Sequence, residues 1–349
     1  LLSFAQARAT NLVRTNRSRD AAIFQERAVA SEFDLIDRYF KRKAPAGMLG
    51  VGDDCALFAV PAGMHVATST DLLIEGRHFF ADVDPRALGH KSLAVNVSDL
   101  AAMGAQPIGC LLGLALPRVH EPWLAAFADG FHAMALAAGC PLIGGDTTGN
   151  PGALAISVTV FGAVDPQAAL RRDAARPGDD IWVSGVLGEA DIAYRLLSGQ
   201  MPADDGLLAR TRAALEWPQP RYALGQALAG LAHAAIDISD GLLQDLGHIL
   251  RASRVGARLR MEDLPVSPAL AGLPADRVRH AVLAGGDVYE LCFTAPAAHG
   301  DAIRAAAAHA GVAVSRIGVI DADAALVVLD ADDAPLADLP RGFDHFRST

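Results

Sequence analysis

Apolar stretches of strand length recur along this chain, and aspartate stands at their ends or in the loop just after them. His65–Thr70 (HVATST) runs into Asp71, Leu142–Ile143 runs into Gly144-Gly145-Asp146, and Ala235–Ile238 (AIDI) carries Asp237 and leads to Asp240. Asp53 and Asp54 sit in the loop Gly50–Phe58 (GVGDDCALF). Aspartate is poor in strands and costly to bury. A chain that places it there repeatedly must fold so that several strand ends meet at one edge, where open α/β sheets bind ligands.

The segments between these strands have helical spacing. Ser31–Arg42 places Phe33, Ile36 and Phe40 on one face behind Ser31 as a cap. Asp84-Pro85 opens a long helix that runs towards Met103 and stops at Gly104, with Asp as N-cap and Pro at the first helical position. Glu121–Ala138 reads as a helix between strands at Ile108–Leu116 and Ala153–Val164. After Asp165–Asp180, rich in charge and carrying Pro166 and Pro177, a second series follows. It comprises strand Ile181–Ser184, helices Glu189–Leu197 and Arg221–His233, strand Ala235–Ile238, helix Gly241–Ser253 and strand Ala257–Arg260. Strand Tyr289–Thr294, helix Ala297–Ala310 and strands near Val312–Ile320 and Ala325–Leu329 complete it. The pattern predicts an α/β (α+β) protein of two mixed α/β domains, over 31–165 and 171–349. Residues 1–30, basic at Arg8, Arg14, Arg17 and Arg19, are read as an extension outside the fold, a targeting peptide or an addition to the reading frame.

With 52% hydrophobic and 20% charged residues in 349, the chain can build packed cores. Its net charge of −10 argues against a nucleic-acid surface. The longest uncharged runs contain Gly and Pro, which argues against membrane spans. Cys55, Cys110, Cys140 and Cys292 form no CxxC pair and sit beside apolar residues, so they are expected to be buried free thiols in a reducing, cytoplasmic setting.

Asp53, Asp54, Asp71, Asp146, Asp237 and Asp240, with Asp99 on one helix face with Asn96, would repel one another if brought together, unless cations lay between them. Mg²⁺ fits, because it takes one or two carboxylates plus substrate phosphates. Ser69 and Thr70 add hydroxyls beside Asp71. Any one of these aspartates alone is more often a turn residue or helix cap. GVGDD, IGGDTT and AGGD leave backbone amides open to a ligand. No dinucleotide fingerprint, P-loop, kinase catalytic loop or HExxH is present, so any nucleotide is held outside those designs. Basic residues near the acidic motifs are few: Arg77, His78, Lys91 and Arg172.

Taken together, STDLLIEGRHF, KSLAVNVSDLAAMGAQP, LIGGDTT, ARPGDDIWVSG, AIDISDGLLQDLGHI and GGDVYELCF resemble the thiamine-monophosphate kinase family, within the aminoimidazole-ribotide synthetase-like superfamily. The resemblance runs from about Ser31 to Gly342–Phe346. It implies an ATP- and Mg²⁺-dependent homodimer whose N-terminal domains join strands into a barrel. It also implies phosphorylation of thiamine monophosphate to thiamine diphosphate by direct in-line transfer. On matching positions it places metals at Asp54, Ser69, Thr70, Asp71, Asp99, Asp146, Asp237 and Asp240. ATP would meet Gly145, Asp146, Arg172 and Ser239, and the acceptor would meet His78, Asp287 and Phe343. No general base is implied. In two places the chain departs from the family: Asp287-Val288 stands where Glu-Asp is usual, and Gly149 where Arg often follows the paired threonines. Another ATP-dependent enzyme of the superfamily and a non-catalytic nucleotide-binding homologue remain alternatives.

Overall fold

A computed structural model of the chain describes residues 31–340 and 342; residues 1–30 and Phe343 lie outside the described residues. Ser31 caps the first helix, α1: its hydroxyl accepts from the Asp34 amide, and the Asp34 carboxylate accepts from the Ser31 amide. Helix α1 (Glu32–Leu35) continues through a π-helical turn, Ile36–Phe40, and buries Leu35 and Phe40.

The first sheet contains β1 (His65–Ile74), β2 (Gln106–Leu116), β3 (Leu142–Gly149) and β4 (Ala155–Val164) in the order β1-β4-β2-β3. Only the β2–β3 pair is parallel, and its crossover is α3 (Glu121–Ala138). One face packs on α2 (Pro85–Ala102) and α3 around a core that includes Leu88, Leu93, Phe127, Phe131 and Ile156. Helix α2 follows the expected start, with Asp84 accepting from Arg86 N–H and Pro85 in the first turn. It is buried almost all round, because the second domain covers the face that the first leaves open.

The second sheet has six strands, β5 (Asp179–Ser184), β6 (Ala234–Asp237), β7 (Gly256–Arg260), β8 (Leu291–Pro296), β9 (Val314–Asp321) and β10 (Leu326–Leu329), in the order β10-β7-β9-β5-β8-β6. It is mixed as well, with β10–β7 parallel and the remaining pairs antiparallel. Helices α4 (Glu189–Leu197), α5 (Asp205–Glu216), α6 (Tyr222–Ala227), α7 (Leu242–Ser253), α8 (Ala275–Ala284) and α9 (Gly300–His309) flank it. The protein is thus a two-domain α/β fold with two mixed sheets. No described helix is long and apolar enough to cross a membrane.

Several expectations change. Asp71 does not end its strand: β1 continues to Ile74, and Asp71 pairs with Val158 in mid-ladder. Gly144–Thr148 is strand rather than loop, since its backbone pairs with Leu111–Ala115 of β2. The helix expected over Arg221–His233 is α6 alone, which gives way to turns around Gly230. Strand β8 starts at Leu291, because Asp287 and Tyr289 take left-handed backbone angles that break the extended run. Residues 297–299 form a separate 3-10 turn before α9. Helices α5 and α8 were not expected. Cys110, Cys140 and Cys292 are buried, but Cys55, in the Gly50–Phe58 loop, is exposed.

Candidate active site

Strand alternation puts Ser69 and Asp71 on the face of β1 that looks at α2. The Ser69 hydroxyl donates to Asp99 Oδ2 at 2.5 Å, and the Asp71 amide donates to Asn96 Oδ1 at 3.0 Å. One position before Asp99, Ser98 turns towards the second domain and donates to Asp237 Oδ2 at 2.7 Å. Asp237 is the last residue of β6, which packs against α2. Carboxylates of both domains therefore meet across one helix.

Their electrostatics confirm the crowding. Burial, then the charge of Asp99, pushes the Asp71 carboxyl up to about 7. Burial raises Asp99 too, against the Ser69 hydrogen bond and the Arg172 charge. Asp237 is driven well up by burial and by Asp99, with Asp245 and Asp71 adding to it. Clustered acids raised by burial and by one another are a mark of a site suited to positive charge. Among the described residues no three His, Cys, Asp or Glu side chains form a ready metal cage. Mg²⁺ does not need one, since it retains waters and substrate phosphates. Buried oxygen donors with raised pKa values fit that ion.

The loop after β6 is shaped by a residue that sequence reasoning passed over. Asp245, in the first turn of α7, accepts from the amides of Ser239, Asp240 and Gly241, each at 3.0 Å. Burial pushes it up to about 7 against the pull of those donors. Its signal was the acid at i+4 from Gly241 in a helix start. Gln244 donates to Asp240 Oδ2 at 3.1 Å, and Gly342 packs against the Asp240 carbonyl. The turn before β8 lies on the same loop: the amides of Asp287 and Tyr289 donate to the carbonyls of Ser239 and Ile238. Gly286 permits this approach, since a Cβ there would lie 2.6 Å from the Ser239 oxygen.

A cavity of about 430 Å³ opens beside the cluster. Ala67, Ser69, Asp99, Met103, Arg172 and Ala235 line it, so both domains contribute.

The other candidates fall elsewhere. Thr70 faces away from α2 and bonds to the Val158 carbonyl and the Thr159 hydroxyl, both at 2.9 Å. Asp146 is exposed on β3 opposite Gly113. Asp53 and Asp54 lie in an exposed turn, with the Asp54 amide bonded to Asp53. His78 sits in the turn after β1, its Nδ1 accepting from the Ile74 amide at 3.0 Å. Gly145 has φ +151°, and a Cβ there would lie 2.0 Å from the Leu112 carbonyl oxygen. Gly145→Ala is expected to destabilise the fold by roughly 2–5 kcal/mol, from overpacking plus backbone strain. A denaturant melt checks this, and a wild-type midpoint would show that β2 and β3 separate without cost.

Comparison with known proteins agrees with this geometry. Residues 52–164 match the family "AIR synthase related protein, N-terminal domain", and residues 176–330 match its C-terminal domain. Thiamine-monophosphate kinase of Escherichia coli (strain K12) is 42% identical over 325 residues, spanning 90% of this chain and 98% of that protein. The Haemophilus influenzae enzyme of the same name is 38% identical over 326 residues, spanning 91% and 98%. Among solved structures, thiamine-monophosphate kinase from Stenotrophomonas maltophilia K279a superposes with TM-score 0.76 at 45% identity, covering 81% of this chain and 91% of that one. AaThiL complexed with AMPPCP and TMP superposes with TM-score 0.71 at 27% identity, covering 82% and 89%. The hydrogenase maturation protein HypE in complex with ATP shares the fold at 22% identity, with TM-score 0.69 and 88% and 96% covered.

Proposed function

The chain belongs to the thiamine-monophosphate kinase family, and on that premise we propose how its residues carry out the ATP-dependent phosphorylation of thiamine monophosphate to thiamine diphosphate. The observation that carries the reading is the meeting of Ser69, Asp71 and Asp99 of one domain with Asp237 of the other, beside a cavity that reaches Arg172.

ATP enters the cavity, with Arg172, Ser239 and the Gly145-Asp146 backbone on its phosphates. The acceptor lies beyond Asp71, towards His78, Asp287 and Phe343. The acceptor's phosphate monoester has a second pKa of about 6 and is largely ionised at neutral pH, so no residue need remove a proton. One of its oxygens attacks the γ-phosphorus in line, and the bond from that phosphorus to the β–γ bridging oxygen breaks, releasing ADP. The difficulty is to bring two polyanions together, and positioning with charge neutralisation answers it. Asp71, Asp99 and Asp237, with Ser69, would hold Mg²⁺, and Asp54, Asp146 and Asp240 would add carboxylates to the proposed set; the Thr70 hydroxyl, turned away from α2 onto β4, is not part of it. When bound, such ions would supply positive charge that neutralises the phosphates.

The exposed face of the first sheet carries Val66 and Leu72 of β1, each more than half exposed at 51% and 54%. We place the homodimer contact there, with the two sheets closing into a barrel. The deciding test supplies ATP, Mg²⁺ and thiamine monophosphate and follows thiamine diphosphate. Product formation is expected. Turnover of a different phosphorylated acceptor instead, or nucleotide binding without turnover, would overturn the reading.

A further inference from the structure

Lys91 lies on α2, seven residues before Ser98 and so on the same face of the helix, the one turned to the second domain. Its side chain is 4% exposed, and its ammonium lies 2.8 Å from Asp287 Oδ1. Tyr289 donates its hydroxyl to the same oxygen at 3.1 Å. Tyr289 in turn feels the charges of Asp287, Asp71 and Asp237, so the pair stands at the rim of the acidic cluster.

An ammonium carries three N–H donors. Among the described residues Asp287 is the one ion-pair partner of Lys91, so a single carboxylate meets a cation able to donate three times. Burying a charge is costly unless it is paired and hydrogen-bonded. Asp287 also holds an uncommon backbone angle for a non-glycine residue, φ +58°, with its amide fixed on the Ser239 carbonyl. The turn is thus built to hold this carboxylate against α2.

We propose that Lys91 is an acceptor-binding residue: its ammonium, oriented by Asp287, donates to non-attacking oxygens of the acceptor's phosphate. This rests on the function argued above and adds a residue to it. The carboxylates would serve cations at the nucleotide phosphates, whereas Lys91 supplies fixed positive charge at the acceptor. It also gives Asp287 a definite task in this chain. The shorter Asp acts through Lys91, while Val288 packs against the core of the second domain.

The test measures binding by calorimetry of thiamine monophosphate, thiamine and a non-hydrolysable ATP analogue to the wild type, to Lys91→Met and to the double variant Lys91→Met/Asp287→Asn. The double variant leaves no unpaired charge and keeps the test open if the single variant folds poorly. Both are expected to lose about 10- to 100-fold in affinity for thiamine monophosphate, the range for a charged hydrogen bond. Affinity for thiamine and for the ATP analogue is expected to stay within about threefold of wild type. Equal losses for all ligands would assign Lys91 a structural role and overturn the proposal, as would unchanged binding of thiamine monophosphate. A wild-type chain that binds thiamine monophosphate in this pattern without phosphorylating it overturns the proposed function alone. One that binds none overturns both.

Discussion

Asp71→Asn is expected to lower kcat by about 10²–10³-fold, the range lost when one preorganised electrostatic contact to a reacting group is removed. The substitution keeps the side chain's size and does not touch the backbone bond from Asp71 N–H to Asn96. It removes a negative charge that burial and Asp99 already disfavour. The variant should therefore be at least as heat-stable as wild type when no divalent cation is present, which separates lost chemistry from lost folding. Steady-state rates at saturating ATP and acceptor, with thermal midpoints in chelator, check both halves. A rate within about tenfold of wild type would remove Asp71 from the transfer site. A fall in midpoint of many degrees would make it a structural acid.

Asp71 and Asp237 were legible in the sequence because carboxylates are rare in apolar, β-prone surroundings, and Asp99 because it shares a helix face with Asn96. Their convergence was not legible, since it depends on α2 lying between the sheets with Ser98 and Asp99 facing different strands. Burial on nearly every side erased the amphipathic stripe that would have shown which face of α2 met the second domain. Lys91 was readable as one of the few basic residues near the acidic motifs, but not its partner, which lies nearly two hundred positions away on a left-handed turn. Asp245 drew no reading from the sequence, and only the fold shows three amides aimed at it. Helix α5 did carry a signal: Asp204 caps it, and the buried Leu207, Thr211 and Leu215 recur every four residues. Helix α8 carried less, since its buried residues are confined to the last turn, Ala281–Ala284, after a charged start. For Thr70 the strand period was readable and places its hydroxyl opposite Asp71; spacing beside Asp71 was weighed instead.

Magnesium is expected to raise the thermal midpoint strongly at pH 8 and little at pH 5. The Asp71 carboxyl sits at about 7 in the folded protein, against about 3.9 in an unfolded chain. A folded-state pKa raised in this way gives stability that is complete below the unfolded value and lost as pH climbs through the folded one. For Asp71 that loss, between about pH 4 and just above 7, is roughly 4 kcal/mol in the absence of any cation. Asp99 and Asp237 are raised for the same physical reason and add to the slope in the same direction. The Arg172 charge, at the domain junction, opposes the rise at Asp99 without reversing it. A cation that binds only the folded, ionised cluster restores what ionisation removed, so its effect grows as the acids lose protons. For a chain of this length the difference at pH 8 should be on the order of 10 °C. Scans at a fixed heating rate, with chelator or millimolar Mg²⁺ across pH 5–8, measure it. In Asp71→Asn the pH slope in chelator should flatten and the magnesium gain should shrink. An equal gain at pH 5 and pH 8, or none at pH 8, would mean that these carboxylates do not hold the ion.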